Sequence, residues 1–195
     1  KTLFIIHFFL LKKSLNKKHH PKKITNLDSV KQILKNRVEW LDTILLKSIK
    51  FSNGNKIEFK GGSEDFGFWD DSFCAYYPEY DILVLSGGHS SDVCYSLTTG
   101  ETEGTIGNPE YIVTSPKNSY RLNGSHGGQE CISYFIQKKE KGKFTYITSI
   151  DLDYEVCVFK TFCWISENKF IYTKMNYSED SKNGIEEYYK GEIYE

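Results

Sequence analysis

Alanine occurs once in 195 residues, at Ala75. The strongest helix former is thus nearly missing, which argues against an all-helical fold. Arginine occurs only at Arg37 and Arg121, and the other 23 of the 25 basic residues are lysines. With the richness in Asn and Ile, this fits an AT-rich coding bias, so lysine abundance alone is not a functional signal. The five cysteines (74, 94, 131, 157, 163) are an odd count, so a monomer keeps at least one free thiol. No pair is spaced C-x-x-C, and the number is too small for a disulfide scaffold of this length. Small buried thiols are the expectation. G-x-S-x-G, H-E-x-x-H, the P-loop and G-x-G-x-x-G are all missing, so no cofactor is implied and no signature catalytic chemistry is present.

Acid is missing from the first 23 residues, which hold seven lysines. The rest of the chain then carries 18 basic and 26 acidic residues, a net of −8. A mildly acidic body is a poor nucleic-acid binder, because phosphate contacts need clustered Lys or Arg. No nucleic-acid partner is expected.

Leu3–Leu11 is almost entirely apolar and follows Lys1, as in the charged and hydrophobic regions of a secretory signal peptide. Lys12 and Lys13 follow at once, and Ser14-Leu15-Asn16 is a poor cleavage site. The run is also too short to span a bilayer, which takes about 20 residues. Two readings stay open: an export leader of a bacterial periplasmic, envelope or secreted protein, or, in a cytoplasmic one, a misread start codon or an apolar strand docked on the body. Leu15–Lys23, with Pro21 and the His19-His20 pair, reads as solvated linker. The expected division is a basic, apolar leader over 1–23 and a single β-rich domain over 24–195.

What is present favours strands. Aromatic residues make up 15% of the chain, and these fit a pleated, half-buried surface. One amphipathic helix is expected at about 27–46, capped by Thr25 or Asn26. Its apolar stripe is Leu27, Val30, Ile33, Leu34, Val38, Leu41 and Leu45, with Trp40 at the rim. Ile49 and Phe51, then Ile57 and Phe59, alternate with polar residues around Asn53-Gly54. That pattern predicts a hairpin with a type I′ turn. Gly61–Asp71 combines acids with Phe66, Phe68 and Trp69 but lacks the D-x-[DN]-x-[DN]-G loop of a calcium site. From Phe73 onward, short strands alternate with turns. They are expected at 73–77, 81–85, 93–97, 111–114, 120–123, 131–137, 144–150, 156–165, 170–174 and 185–189.

One element occurs twice. Ser86–Ser96 reads SGGHSSDVCYS and Asn123–Ser133 reads NGSHGGQECIS. The ungapped alignment pairs Gly87 with Gly124, His89 with His126, Cys94 with Cys131 and Ser96 with Ser133. The expected roles are structural. The glycines would supply positive φ, the histidines would tie back to the turn backbone, and Cys and Ser would share one small-residue strand face. Should both hairpins lie in one meander, equivalent positions fall two strands apart, about 9.5 Å. That is too far for a shared zinc ion, so no metal is expected.

The segments Tyr77-Pro78 to Val84, Tyr95 to Glu101 and Ser115-Pro116 to Leu122 resemble β-propeller repeats of the WD40-like or Pro-Asp type, over about residues 70–190. The resemblance implies hairpin blades with a period near 40 residues. Three such units are fewer than a closed ring uses, so either an open propeller-like sheet or stacked hairpins follows.

The expected fold class is mainly β, an antiparallel meander or propeller-like hairpin repeats, with one N-terminal helix. The expected function is a non-enzymatic binding module whose partner is another protein. Its contact residues would be His89, Asp92, His126, Glu130 and Trp69. Two alternatives are a hydrolase or metal enzyme built on the same histidines and acids, and a small acidic inhibitor of immunity type.

Overall fold

A computed structural model describes residues 20–59, 72–102, 106–128, 132–150, 159–176 and 185–194. The apolar leader run, the acidic Gly61–Asp71 loop with Trp69, Glu130, Cys131, Cys157 and the Asn183-Gly184 turn lie outside the described residues. The fold is mainly β, in four antiparallel sheets, with one α-helix among the described residues. No helix there is long and apolar enough to cross a membrane. The chain divides into two compact units, residues 20–111 with 124–130, and residues 112–123 with 131–195.

The first unit opens with α1 (Leu27–Ile33), seven residues long. Asn26 caps it, its Oδ1 accepting from the Ser29 amide at 2.9 Å. The helix expected to reach residue 46 stops a third of the way. After a turn the chain becomes β1 (Val38–Trp40), β2 (Leu46–Lys50) and β3 (Lys56–Glu58), a three-stranded meander. Two local features account for this. Val38, Trp40, Thr43 and Ile44 are β-branched or aromatic. The Asp42 carboxylate accepts from the amides of Ile44 and Leu45, both at 2.9 Å, and so competes with helical bonding. Of the predicted stripe, Val30, Leu34 and Val38 are buried, whereas Leu41 lies in the loop and is half exposed.

The hairpin around Asn53-Gly54 is present, but its turn is not type I′. Gly54 alone has positive φ, at 90°. The Asn53 side chain instead accepts from the Asn55 amide and donates to the Thr99 carbonyl. A type I′ turn is found in the other unit, at Lys141-Gly142, where both residues have positive φ (49° and 85°) between paired Glu140 and Lys143.

β4 (Ser72–Tyr77), β5 (Ile82–Ser86) and β6 (Asp92–Ser96) form a second meander. Its middle strand is apolar on both faces. Leu83 and Leu85 join the core of Val30, Leu34, Leu46 and Ile49, while Ile82 and Val84 pack with Ala75, Tyr77 and Cys94. Double-sided burial explains the unbroken run Ile82–Leu85, where a half-buried strand would alternate. Each such side chain contributes roughly 1.5–3 kcal/mol.

The second unit holds β7 (Val113–Thr114), most of β8 (Tyr120–His126), β9 (Ile132–Glu140) and β10 (Lys143–Ile150), in the order β10-β9-β8-β7. It also holds the meander β11 (Thr161–Trp164), β12 (Lys169–Asn176) and β13 (Ile185–Glu192). Its core is aromatic. Trp164 packs on Tyr120, Phe162 and Phe170, and its Nε1 donates to the Val113 carbonyl at 2.8 Å. Glu167 accepts from Ser115 Oγ and from the Lys117 and Ser119 amides, which clamps the turn after β7. Burial would raise the pKa of its carboxyl, but these bonds outweigh it and hold the value below the usual range.

Both arginines occupy positions where a planar guanidinium is used. Arg121 is buried, donates from Nε to Gln137 Oε1 at 2.6 Å and lies over the Phe144 ring at 4.1 Å. Arg37 makes a fork to Asp81. Lysine cannot supply either geometry.

Candidate functional site

The two copies of the repeated element lie in different sheets. The first spans the end of β5, a 3-10 turn at Gly88–Ser90 and β6; the second runs from β8 to β9. The single-meander premise therefore fails, and with it the two-strand separation. Their loops meet within the first unit. The His126 amide donates to Asp92 Oδ2 at 3.0 Å, and His126 Nδ1 lies 3.3 Å from the Ser90 carbonyl. The Gly128 amide donates to that same Nδ1 at 3.2 Å. With one placement of the ring proton Nδ1 accepts from the Gly128 amide, and with the other it donates to the Ser90 carbonyl. As expected, the His126 ring ties back to its own turn, and it also reaches the first copy.

Other expected roles change. Neither Gly87 nor Gly124 is among the positive-φ residues; His89 (55°) and Ser90 (66°) are. The left-handed conformation thus falls on two side-chain-bearing residues, each at a cost of roughly 1–2 kcal/mol. Gly87 serves close packing instead, since a Cβ there would overlap Ser91 Oγ and Val93 Cγ2. In the first copy Cys94 and Ser96 are both buried in β6, as expected for one shared face, whereas Ser133 in the second copy is exposed. The pairing of the two copies ends at the loops because their strands face different surroundings.

Of the five expected contact residues, the fold brings together His126 and Asp92, with His89 at the exposed tip of the same loop. Glu130 and Trp69 lie outside the described residues. Among the described residues no three His, Cys, Asp or Glu side chains gather where they could hold a metal ion. The arrangement is a braced loop pair: Asp92 and His126 are engaged with backbone, while His89 and Ser90 are held outward in a fixed conformation.

A second polar cluster, not anticipated from the sequence, lies at the start of β5. Asp81, at φ 53°, accepts from Arg37 Nη1 (2.8 Å), Arg37 Nη2 (2.9 Å), Tyr76 Oη (3.0 Å) and Thr98 Oγ1 (2.6 Å). Burial pushes the Asp81 pKa up, but the bonds from Arg37, Thr98 and Tyr76 prevail and hold it below the usual aspartate value. Burial, with the Asp81 charge beside it, pushes Tyr76 up to about 12. The rarity of arginine was the one available signal. In a lysine-biased chain, a position that keeps arginine points to bidentate or stacked geometry.

The fold and the braced loops define a β-rich protein with two compact units and a preorganised loop edge. Comparison with protein-family models, with curated proteins and with solved structures gives no match.

Proposed function

We propose that the chain is a non-enzymatic binding module that engages another protein through the loops carrying His89 and His126. The observation that carries this reading is the brace itself. His126 and Asp92 hold two loops together, and His89 and Ser90 are left exposed in left-handed conformations. Loops fixed by a rigid scaffold are where binding residues concentrate. Fixing them in advance removes ordering cost from association. The meanders of consecutive strands are compatible with propeller-like hairpin blades, the architecture that the resemblance over residues 70–190 implies.

The test places a photo-crosslinking residue at position 89 and, as a control, at exposed Lys117 in the other unit, in the full chain in a native extract. A discrete adduct from position 89 only, lost on Asp92→Ala with the circular dichroism spectrum unchanged, is expected. Equal labelling from both positions, or an adduct indifferent to Asp92→Ala, would sink the reading. Stoichiometric zinc or calcium in the purified protein would favour the metal-enzyme alternative.

A further inference from the structure

The first unit carries a second surface whose charge pattern runs against that of the chain. The register of the β1-β2-β3 sheet sets its rungs. Lys50 donates its amide to the Arg37 carbonyl at 2.7 Å, and Lys50 is the cross-strand partner of Lys56. Arg37, Lys50 and Lys56 thus form one rung of three cations. The adjacent rung, Val38, Ile49 and Ile57, turns to the core. The rung beyond it, Glu39, Ser48 and Glu58, returns to the outer face. Like charges directly opposite each other destabilise a strand pair, so an all-cation rung needs compensation.

That compensation is incomplete. Arg37 is neutralised by Asp81. Lys56 lies 3.1 Å from Glu58 and 3.7 Å from Glu39, and Glu39 is further held by Lys47 at 3.8 Å and by Ser48 Oγ at 3.0 Å. The Glu39 pKa is drawn down first by the Ser48 bond, then by Lys56 and Lys47, so Glu39 is ionised and already engaged. Lys50, at the centre of the rung, has no carboxylate partner among the described residues, and neither has Lys35. Both are exposed. The two line a groove of about 350 Å³ with Arg37, Lys56, the Gly54 turn and the already engaged Glu39 carboxylate. No aromatic side chain among the described residues lines it.

We propose that this groove is a binding site for a small, multiply charged oxyanion of the pyrophosphate type. Lys35 and Lys50 supply the uncompensated charge, and Arg37 and Lys56 flank them. A phosphate-class anion matches because lysine ammonium groups act as mobile point charges on such oxygens. A nucleobase finds no stacking surface among the described residues, so the anion is recognised through its charged oxygens.

The test titrates inorganic pyrophosphate, and separately ADP, into the full-length chain at low ionic strength, read by calorimetry and by amide shifts. Saturable binding at one pyrophosphate per chain is expected, with shifts concentrated at residues 35–39 and 48–56. Lys35→Gln combined with Lys50→Gln should weaken it by about tenfold, because two charge-assisted contacts are lost. Lys117→Gln, in the other unit, should leave it unchanged. ADP should bind no more tightly than pyrophosphate, and added salt should weaken both. Both substituted lysines are exposed, and an unchanged circular dichroism spectrum checks that the double variant folds. Three results would each overturn the assignment: no saturable binding, a double variant within twofold of wild type, or ADP binding at least tenfold tighter than pyrophosphate.

Discussion

Removing the Arg37 guanidinium should destabilise the first unit by an amount that the geometry brackets. An exposed ion pair contributes about 0–1 kcal/mol. Breaking a fully buried one costs about 3–5 kcal/mol, because the surviving charge is stranded. The Arg37 and Asp81 side chains are 27% and 22% exposed, so the pair lies between these limits. Two parallel N–H···O bonds at 2.8 and 2.9 Å move it toward the buried limit, and residual solvent moves it back. Arg37→Ala is therefore expected to cost about 2 kcal/mol, which at a urea slope of about 2 kcal/mol/M lowers the midpoint by about 1 M. Arg37→Lys keeps the charge but not the fork, and should cost about 1 kcal/mol. A double-mutant cycle with Asp81→Ala, followed by circular dichroism in urea, isolates the pair term, expected at about 1.5 kcal/mol. The pH dependence supplies an independent arm. The folded-state pKa of Asp81 is depressed, so its stabilisation is fully present above the unfolded value of about 3.9 and is lost as pH falls through the lower folded value. The gap between wild type and Asp81→Asn should accordingly be full at neutral pH and close in acid. A coupling under about 0.5 kcal/mol, or a gap that stays constant into strong acid, would refute the reasoning.

Two further substitutions probe packing. Gly191 in β13 pairs with Phe170 in β12, and a Cβ at 191 would overlap three carbons of the Phe170 ring. Gly191→Ala should cost about 1–3 kcal/mol, seen as a lower melting temperature, and Phe170→Leu in that background should recover part of the loss. The Tyr77 hydroxyl is buried without a hydrogen-bond partner among the described residues. Tyr77→Phe should leave stability unchanged or raise it by up to about 1 kcal/mol, and a loss above that in urea melts would mean that the hydroxyl is satisfied.

Strand positions from Phe73 onward were largely legible. Period-2 patterning and turn residues mark β4, β5, β6, β9 and β10 to within a few residues, because each alternates or runs apolar between Gly, Asn or Pro. Residues 34–46 were misread, since an apolar residue every three or four positions satisfies a helix and a pair of short strands alike. Asp42 bonding to backbone amides and β2 offering a pairing edge tipped that balance, and neither is visible in hydropathy. At the loops, the histidines and Asp92 were visible as residue types. Their contact was not, because Asp92 and His126 are 34 residues apart and belong to hairpins of different sheets.

The sequence by itself determined a β-rich chain, the hairpin at Asn53-Gly54 and the twofold occurrence of the His loop. These follow from local rules of period, turn chemistry and repetition. Only the tertiary structure decided that the two loops brace each other, that Arg37 forks onto Asp81, and that Arg37, Lys50 and Lys56 share a rung. Each of these depends on strand register and on contacts between distant residues, where a single-residue shift would turn every side chain to the opposite face.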